Sequence, residues 1–196
     1  RLGHRLDDLG GAKLVALEQA EELTEWRDSF LSLEAAGWKG QRGTALRRQP
    51  GMAQAFVDAA GALHASGLLR FWRMVADQKP VAMVMAIIER GQASFSKIAY
   101  DETHARLSPG AMIILEATRS LFEEGGVMLI DSCAIPNHPM LDNIWRDRIA
   151  MADVMVAGGG VGRTRFAVAV GREKLRRMFR RLARDAYYRI SGQTPS

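Results

Sequence analysis

Residues able to do chemistry gather in a few short stretches of this chain. Tyr100-Asp101-Glu102-Thr103-His104-Ala105-Arg106-Leu107-Ser108-Pro109-Gly110-Ala111 lies between a strand-like run and a strong helical pattern. Pro109 at a first helical turn sacrifices no hydrogen bond, and Ser108 before it is a good N-cap type. Gly110 allows close approach to the backbone. The first amides of such a helix, with Arg106 nearby, suit an anion. The same residues also describe a plain capped helix start.

Other candidates are acid/base groups. His138 stands between Pro136 and Pro139, with Asp131 seven residues earlier, and could relay a proton; it could equally be a helix-start histidine bonded to backbone. Lys97 interrupts a largely apolar strand, so it points either into a cleft or to solvent. Cys133, the single cysteine, is either a nucleophile or inert packing. Glu89 ends a long apolar run and is a base or a turn residue. No His/Cys/Asp/Glu grouping has metal-ligand spacing, so no metal is expected, and no Gly-x-Ser-x-Gly or phosphate-loop motif occurs.

The elements that must position these groups follow from periodicity and turn chemistry. Leu14 to Leu17 reads as a strand, and Glu18 to Ala36 as an amphipathic helix through Leu23, Trp26, Phe30 and Leu31. A glycine-punctuated loop spans residues 37–43, and Pro50-Gly51 opens a second helix that Gly67 stops. Leu68 to Ala76, Val81 to Ile88 and Gln92 to Tyr100 read as three strands joined by tight turns, an antiparallel meander. A helix from Pro109 to Gly125 follows, then a strand over Val127 to Ile130. A short helix is predicted over His138 to Asp147, with strands over Ala152 to Ala157 and Thr164 to Val170. The result is a mixed α/β sheet with antiparallel strands first and a βαβ-like crossover after.

At 196 residues the chain has room for one ordinary domain and not two. With 47% apolar and 25% charged residues, it is neither disordered, collagenous nor a coiled coil. No run of 18 apolar residues occurs, so no transmembrane helix is expected. One cysteine excludes a disulfide framework and fits a reducing, cytoplasmic compartment. The chain opens on Arg1, which reads as a fragment or a trimmed sequence.

The net charge of +5 is unevenly placed. Arg163 to Arg189 holds ten Lys/Arg and two Asp/Glu, which leaves residues 1–162 slightly acidic. The high isoelectric point is therefore no sign of a nucleic-acid surface over the whole protein. Residues 172–190 combine Leu175, Phe179, Leu182, Ala186 and Ile190 at helical spacing with crowded arginines, a basic amphipathic helix. Such a helix either lies on an anionic membrane surface or docks on protein; with only Tyr187 and Tyr188 beside the charge, nucleic acid is the weaker partner.

The order of elements, with Arg106-Leu107-Ser108-Pro109-Gly110-Ala111 opening the crossover helix, resembles the core of the GNAT acyltransferases. There the usual loop is Gln/Arg-x-x-Gly-x-Gly/Ala, and it holds the coenzyme A pyrophosphate. The resemblance implies acetyl-CoA, or another acyl-CoA, bound at residues 106–111. A closer likeness is to the CelD-like branch, associated with cellulose biosynthesis and related to FemAB-type transferases. It rests on Phe30-Leu31-Ser32-Leu33-Glu34-Ala35-Ala36-Gly37-Trp38-Lys39-Gly40, Arg42-Gly43-Thr44-Ala45, Lys97-Ile98-Ala99-Tyr100-Asp101-Glu102 and Ser108-Pro109-Gly110, within residues 1–155. After Val127-Met128-Leu129-Ile130, relatives carry Asp-Phe-Leu-x-Gly-Asp, then Tyr-Lys and Trp. Here Asp131 and Trp145 correspond and the Tyr-Lys pair is absent.

The resemblance implies a GNAT-like domain over residues 1–170, the second half of a longer two-half protein, with a basic tail over 171–196. It implies direct acyl transfer to an amine or hydroxyl of a small-molecule or glycan acceptor. Trp38, Lys39 and Asp101 would form the acceptor wall, and His138, Asp131 and Lys97 would serve catalysis. A non-catalytic scaffold, or an aminoacyl transferase using aminoacyl-tRNA, are the alternatives. The compartment is cytoplasmic, at the inner face of the membrane if the tail rests on lipid.

Overall fold

The structure, a computed structural model, describes residues 11–135, 138, 140–152, 154–160 and 162–191. It divides into two compact units, residues 1–135 and 136–196.

The first unit is a five-stranded sheet in the order β1-β2-β3-β4-β5. Its strands are β1 (Lys13–Ala16), β2 (Leu69–Ala76), β3 (Lys79–Glu89), β4 (Gln92–Tyr100) and β5 (Leu129–Asp131). The first four run antiparallel, and β5 joins β4 in parallel. The turns explain the meander. Asp77 and Gln78, and then Arg90 and Gly91, take positive φ, the geometry that matches the twist of a two-residue hairpin. Gly91 also receives the start of β5. Its carbonyl accepts the Met128 amide at 2.7 Å, and a Cβ there would sit 2.9 Å from Met128 Cε.

Each face of the sheet is covered by helix. On one side lie α1 (Leu23–Ala36) and α3 (Met52–Ala65), joined through a single-turn helix α2 (Trp38–Gln41). Trp26 and Phe30 of α1 are fully buried against Phe71, with ring centroids at 5.5 and 5.9 Å, and Phe30 stacks on Phe56 at 5.0 Å. Met83, Met85 and Ala99 join this core, so alternate residues of β3 and β4 face α1. On the other side α4 (Pro109–Glu124) buries Met112, Ile113, Ile114 and Leu121. Trp72 and Phe95, tilted at 6.2 Å, lie on that face. α4 is the crossover that makes β5 parallel to β4.

The second unit contains a 3-10 turn at Leu141–Asn143 and a long helix α5 (Arg163–Ser191). Three expectations are corrected here. The helix over His138 to Asp147 reduces to that turn. Ala152 and residues 154–157 form no strand. Thr164 to Val170 is helical, as the opening of α5. Valines in that run suggested a strand, but Phe166 and Val170 sit four apart, Ala167 and Ala169 favour helix, and helix formers continue beyond. Gly171 costs only about 1 kcal/mol inside a 29-residue cooperative helix. In the first unit, the start of the predicted 18–36 helix is a 3-10 turn at Ala20–Glu22, and the glycine loop holds α2.

Candidate active site

The sheet opens along β4. Its pairing with β5 covers only Gln92–Ser94 against Leu129–Asp131. A bulge follows at once, because the partners of Met85 and Ala86 are Lys97 and Phe95. Ser96, the extra residue, bonds its hydroxyl to the Met85 carbonyl at 3.2 Å. Bulges bend a strand and increase its twist, which separates β4 from β5. Among the described residues no strand pairs with the outer edge of β4 beyond Ser94. The Asp101 amide donates to Val81 O at 2.8 Å, so alternation directs Lys97 and Ala99 main-chain groups toward β3 and those of Ile98 and Tyr100 outward. A crevice beyond the carboxyl ends of two parallel strands is the usual place for a ligand in such a sheet.

The loop from β4 to α4 borders this edge. Asp101 accepts the Thr103 amide at 2.9 Å and caps a 3-10 turn over Glu102–Leu107. Burial pushes its carboxyl up, but bonds from the Thr103 hydroxyl and amide and the His104 ring outweigh that and hold it below the ordinary carboxylate range. Asp101, expected on the acceptor wall, thus builds the loop. Ser108 corrects the capping expectation: it adopts φ +57°, and its side chain makes no cap bond. Instead its carbonyl accepts the Ala111 and Met112 amides at 3.0 and 3.1 Å. Pro109 has no N–H, so the row of open amides narrows to Gly110. Pro109 and Gly110 are buried, Leu107 is half-buried, and Arg106 is exposed without a hydrogen bond or ion pair among the described residues.

The opposite wall comes from the end of α1 and from α2. Glu34 is the buried charged residue of the core, 4% exposed. Its Oε1 accepts from Lys39 Nζ at 3.0 Å and its Oε2 from the Leu46 amide at 2.9 Å. Lys39 Nζ also reaches Ile98 O, at 3.4 Å. Lys39 is therefore committed to holding α2 against α1 and β4, which limits the acceptor role expected of it. Trp38 keeps 42% exposure, with the Arg42 guanidinium 5.3 Å from its ring centroid. Its amide donates to Glu102 Oε1 at 2.6 Å, tying α2 to the loop after β4. A small pocket lies between these elements, lined by Glu34, Trp38, Lys39, Tyr100 and Glu102 among others. Sequence reasoning missed Glu34 and Glu102 as site residues. Glu34 had a signal: it falls four residues after Phe30 on the buried stripe of α1, where a charge must be paired.

The catalytic candidates are dispersed. Lys97 is half-buried on the α1 side of β4, opposite Met85. Asp131 ends β5 beside Ser94, and its Oδ1 accepts the Cys133 amide at 2.8 Å. Cys133 is exposed, and partial desolvation and the Asp131 charge push its thiol up more than a bond from Ser94 lowers it. Glu89 is exposed and pairs with Gln92, at the far end of β4 from Ile98. His138 belongs to the second unit, where its Nδ1 accepts the Leu141 amide at 3.3 Å and its carbonyl the Asp142 amide at 3.0 Å. Only its Nε2 is left for chemistry. Pro136 and Pro139, expected to flank it, lie outside the described residues. Among the described residues no group of three or more His, Cys, Asp or Glu is placed to hold a metal ion.

Residues 1–138 match the acetyltransferase (GNAT) domain family. The chain belongs to that family. No curated protein matches the chain. Among solved structures it is similar to a GCN5-related N-acetyltransferase from Ralstonia eutropha, at 14% identity and a TM-score of 0.54, over 74% of this chain and 99% of that one. It is also similar to an aminoglycoside acetyltransferase from an uncultured soil metagenomic sample, solved with sisomicin (13%, TM-score 0.52, 80% and 99%). A third is a predicted acetyltransferase from Clostridium acetobutylicum, solved with acetyl-CoA (8%, TM-score 0.53, 74% and 96%). At these identities the likeness carries the fold. The expected GNAT-like mixed α/β fold is the observed one, and the chain is an acetyltransferase of the GNAT type.

Proposed function

We propose that this GNAT domain transfers an acetyl group from acetyl-CoA, bound between β4 and β5, to an amine or hydroxyl of a small-molecule or glycan acceptor. The observation that carries the reading is the open edge of β4 beyond Ser94, next to the start of α4. The outward amides of Ile98 and Tyr100 suit an extended, amide-bearing chain such as the pantetheine arm. At the far end of that arm, Gly110 N–H, the positive end of α4 and Arg106 suit a pyrophosphate. Leu107, Ser108, Pro109 and Ala111 shape that turn.

The acceptor approaches from the Trp38 wall. Its nitrogen or oxygen attacks the thioester carbonyl, the new C–N or C–O bond forms, and the C–S bond breaks to release the coenzyme A thiol. One proton must leave the acceptor and one must reach the sulfur. Lys97 and Asp131, both of the first unit, are the groups we assign to that traffic. Trp38 offers an exposed aromatic face to a sugar ring, which supports a carbohydrate acceptor and, with the CelD-like stretches, a place in envelope polysaccharide synthesis.

The test is thiol release from acetyl-CoA by the full chain with a panel of amino sugars and simple glycans. The reading expects acceptor-dependent release that Arg106→Glu weakens through KM for acetyl-CoA. It fails if no acceptor stimulates release above hydrolysis and Arg106→Glu changes nothing.

A further inference from the structure

α5 carries ten Lys/Arg and two Asp/Glu in 29 residues. Leu175, Met178, Phe179 and Leu182 recur at the 3,4 spacing and, with Val168, occupy an arc of roughly 100° along one side. All five are 48–59% exposed. Phe166 and Val170, on the opposite side of the same helix, are the partly covered apolar residues.

The stripe is edged by cations on both margins. Arg172 and Arg176 follow one border in the helical projection, and Lys174 the other. Glu173 lies toward the middle of the polar face, paired with Arg176 and Arg177 at 2.8 Å. Those arginines hold its carboxyl down at about 2, so it stays charged and paired without interrupting the stripe.

The geometry points to α5 as an in-plane anchor on an anionic lipid surface, with its stripe at the acyl-chain boundary and its arginines on headgroup phosphates. Two features select lipid. Apolar side chains between two cationic margins match a surface that is apolar below and anionic above. A nucleic acid would satisfy the arginines and leave the stripe in water. Arginine and lysine stems reach outward from a helix lying at this depth, so charge and stripe are satisfied together. No described helix is long and apolar enough to cross a membrane, so α5 would rest on the surface. This inference is independent of the acyl-transfer reading.

The experiment is co-sedimentation of the full chain with phosphatidylcholine vesicles and with vesicles containing roughly one third phosphatidylglycerol. Binding is expected to the anionic vesicles only, falling as salt shortens the Debye length. Arg176→Gln with Arg180→Gln is expected to weaken partition about 25-fold, at roughly fivefold per arginine. Phe179→Glu, at an exposed position, is expected to abolish binding while leaving the thermal melt and thiol release with a water-soluble acceptor unchanged. Three results would overturn the inference: no sedimentation at low salt; equal binding by wild type and Phe179→Glu, as for any polyanion; or a dimer that Phe179→Glu makes monomeric, with no vesicle binding.

Discussion

Replacing Glu34 with alanine removes the acceptor of two donors at once. Its side chain is 2% exposed, and it holds Lys39 Nζ and the Leu46 amide. The amide belongs to a residue 3% exposed, and losing its partner costs about 1–3 kcal/mol. Lys39 is a quarter exposed, so water takes over part of its charge, and about 1 kcal/mol is the discounted share of the broken pair. Together these give a loss of about 2–4 kcal/mol, or roughly 5–15 °C in Tm for a chain of this size. Glu34→Gln keeps one acceptor oxygen and places an amide donor where the second was, so about half that loss is expected. Glu34→Leu with Lys39→Met replaces the pair by apolar groups, and its loss should fall well below the sum of the single losses. Urea and thermal unfolding followed by circular dichroism read these variants together with the single Glu34→Leu and Lys39→Met substitutions. Glu34→Ala within 0.5 kcal/mol of wild type, or an additive double variant, would refute the assignment of this pair as the joint between α1, α2 and β4.

Three further outcomes follow from the same geometry. Arg70 holds the Glu124 carboxyl below its ordinary value, so their bond stabilises the fold above that ordinary value and is lost as pH falls through the depressed one. Glu124→Gln should cost under about 1 kcal/mol at pH 7, because both groups are over a third exposed, and the difference from wild type should vanish in acid melts. Cys133→Ser should retain turnover, and wild-type Cys133, though exposed, should alkylate with iodoacetamide at pH 7 more slowly than a free cysteine, since partial desolvation and the Asp131 charge push its thiol up. Ser108→Gly should be neutral or stabilising by up to about 1 kcal/mol, and Ser108→Val destabilising by about 1–2 kcal/mol, because φ +57° suits glycine and strains a β-branched residue. Paired thermal melts check the last comparison.

Where local chemistry decides structure, the fold was legible. Hairpins at Asp77-Gln78 and Arg90-Gly91, the apolar run of β3 and the Pro109–Gly125 helix pattern place the meander and its crossover. Between residues 152 and 170, local β-propensity misled, because cooperativity with the helix formers after Gly171 decides the state of Thr164 to Val170. The acceptor wall was legible only as residue types. Trp38 meets Glu102 across 64 positions, and Glu34 meets the Leu46 amide across 12, contacts no periodicity encodes. Ser108 shows the limit of motif reading: its type suits a cap, while the backbone at the start of α4 takes a left-handed turn that turns the hydroxyl away from that duty.

The central claim is that acetyl-CoA lies along the open edge of β4 with its pyrophosphate at the start of α4. Calorimetric titration of the full chain with acetyl-CoA and with free coenzyme A tests it most directly, in wild type, Arg106→Glu and Ile98→Pro. The proline removes one outward amide at an edge where no strand pairs. The account predicts micromolar binding of both ligands by wild type, with Arg106→Glu and Ile98→Pro each at least about tenfold weaker, the loss of 1.4 kcal/mol. Binding unchanged by both substitutions would contradict it, as would wild-type protein that binds neither ligand.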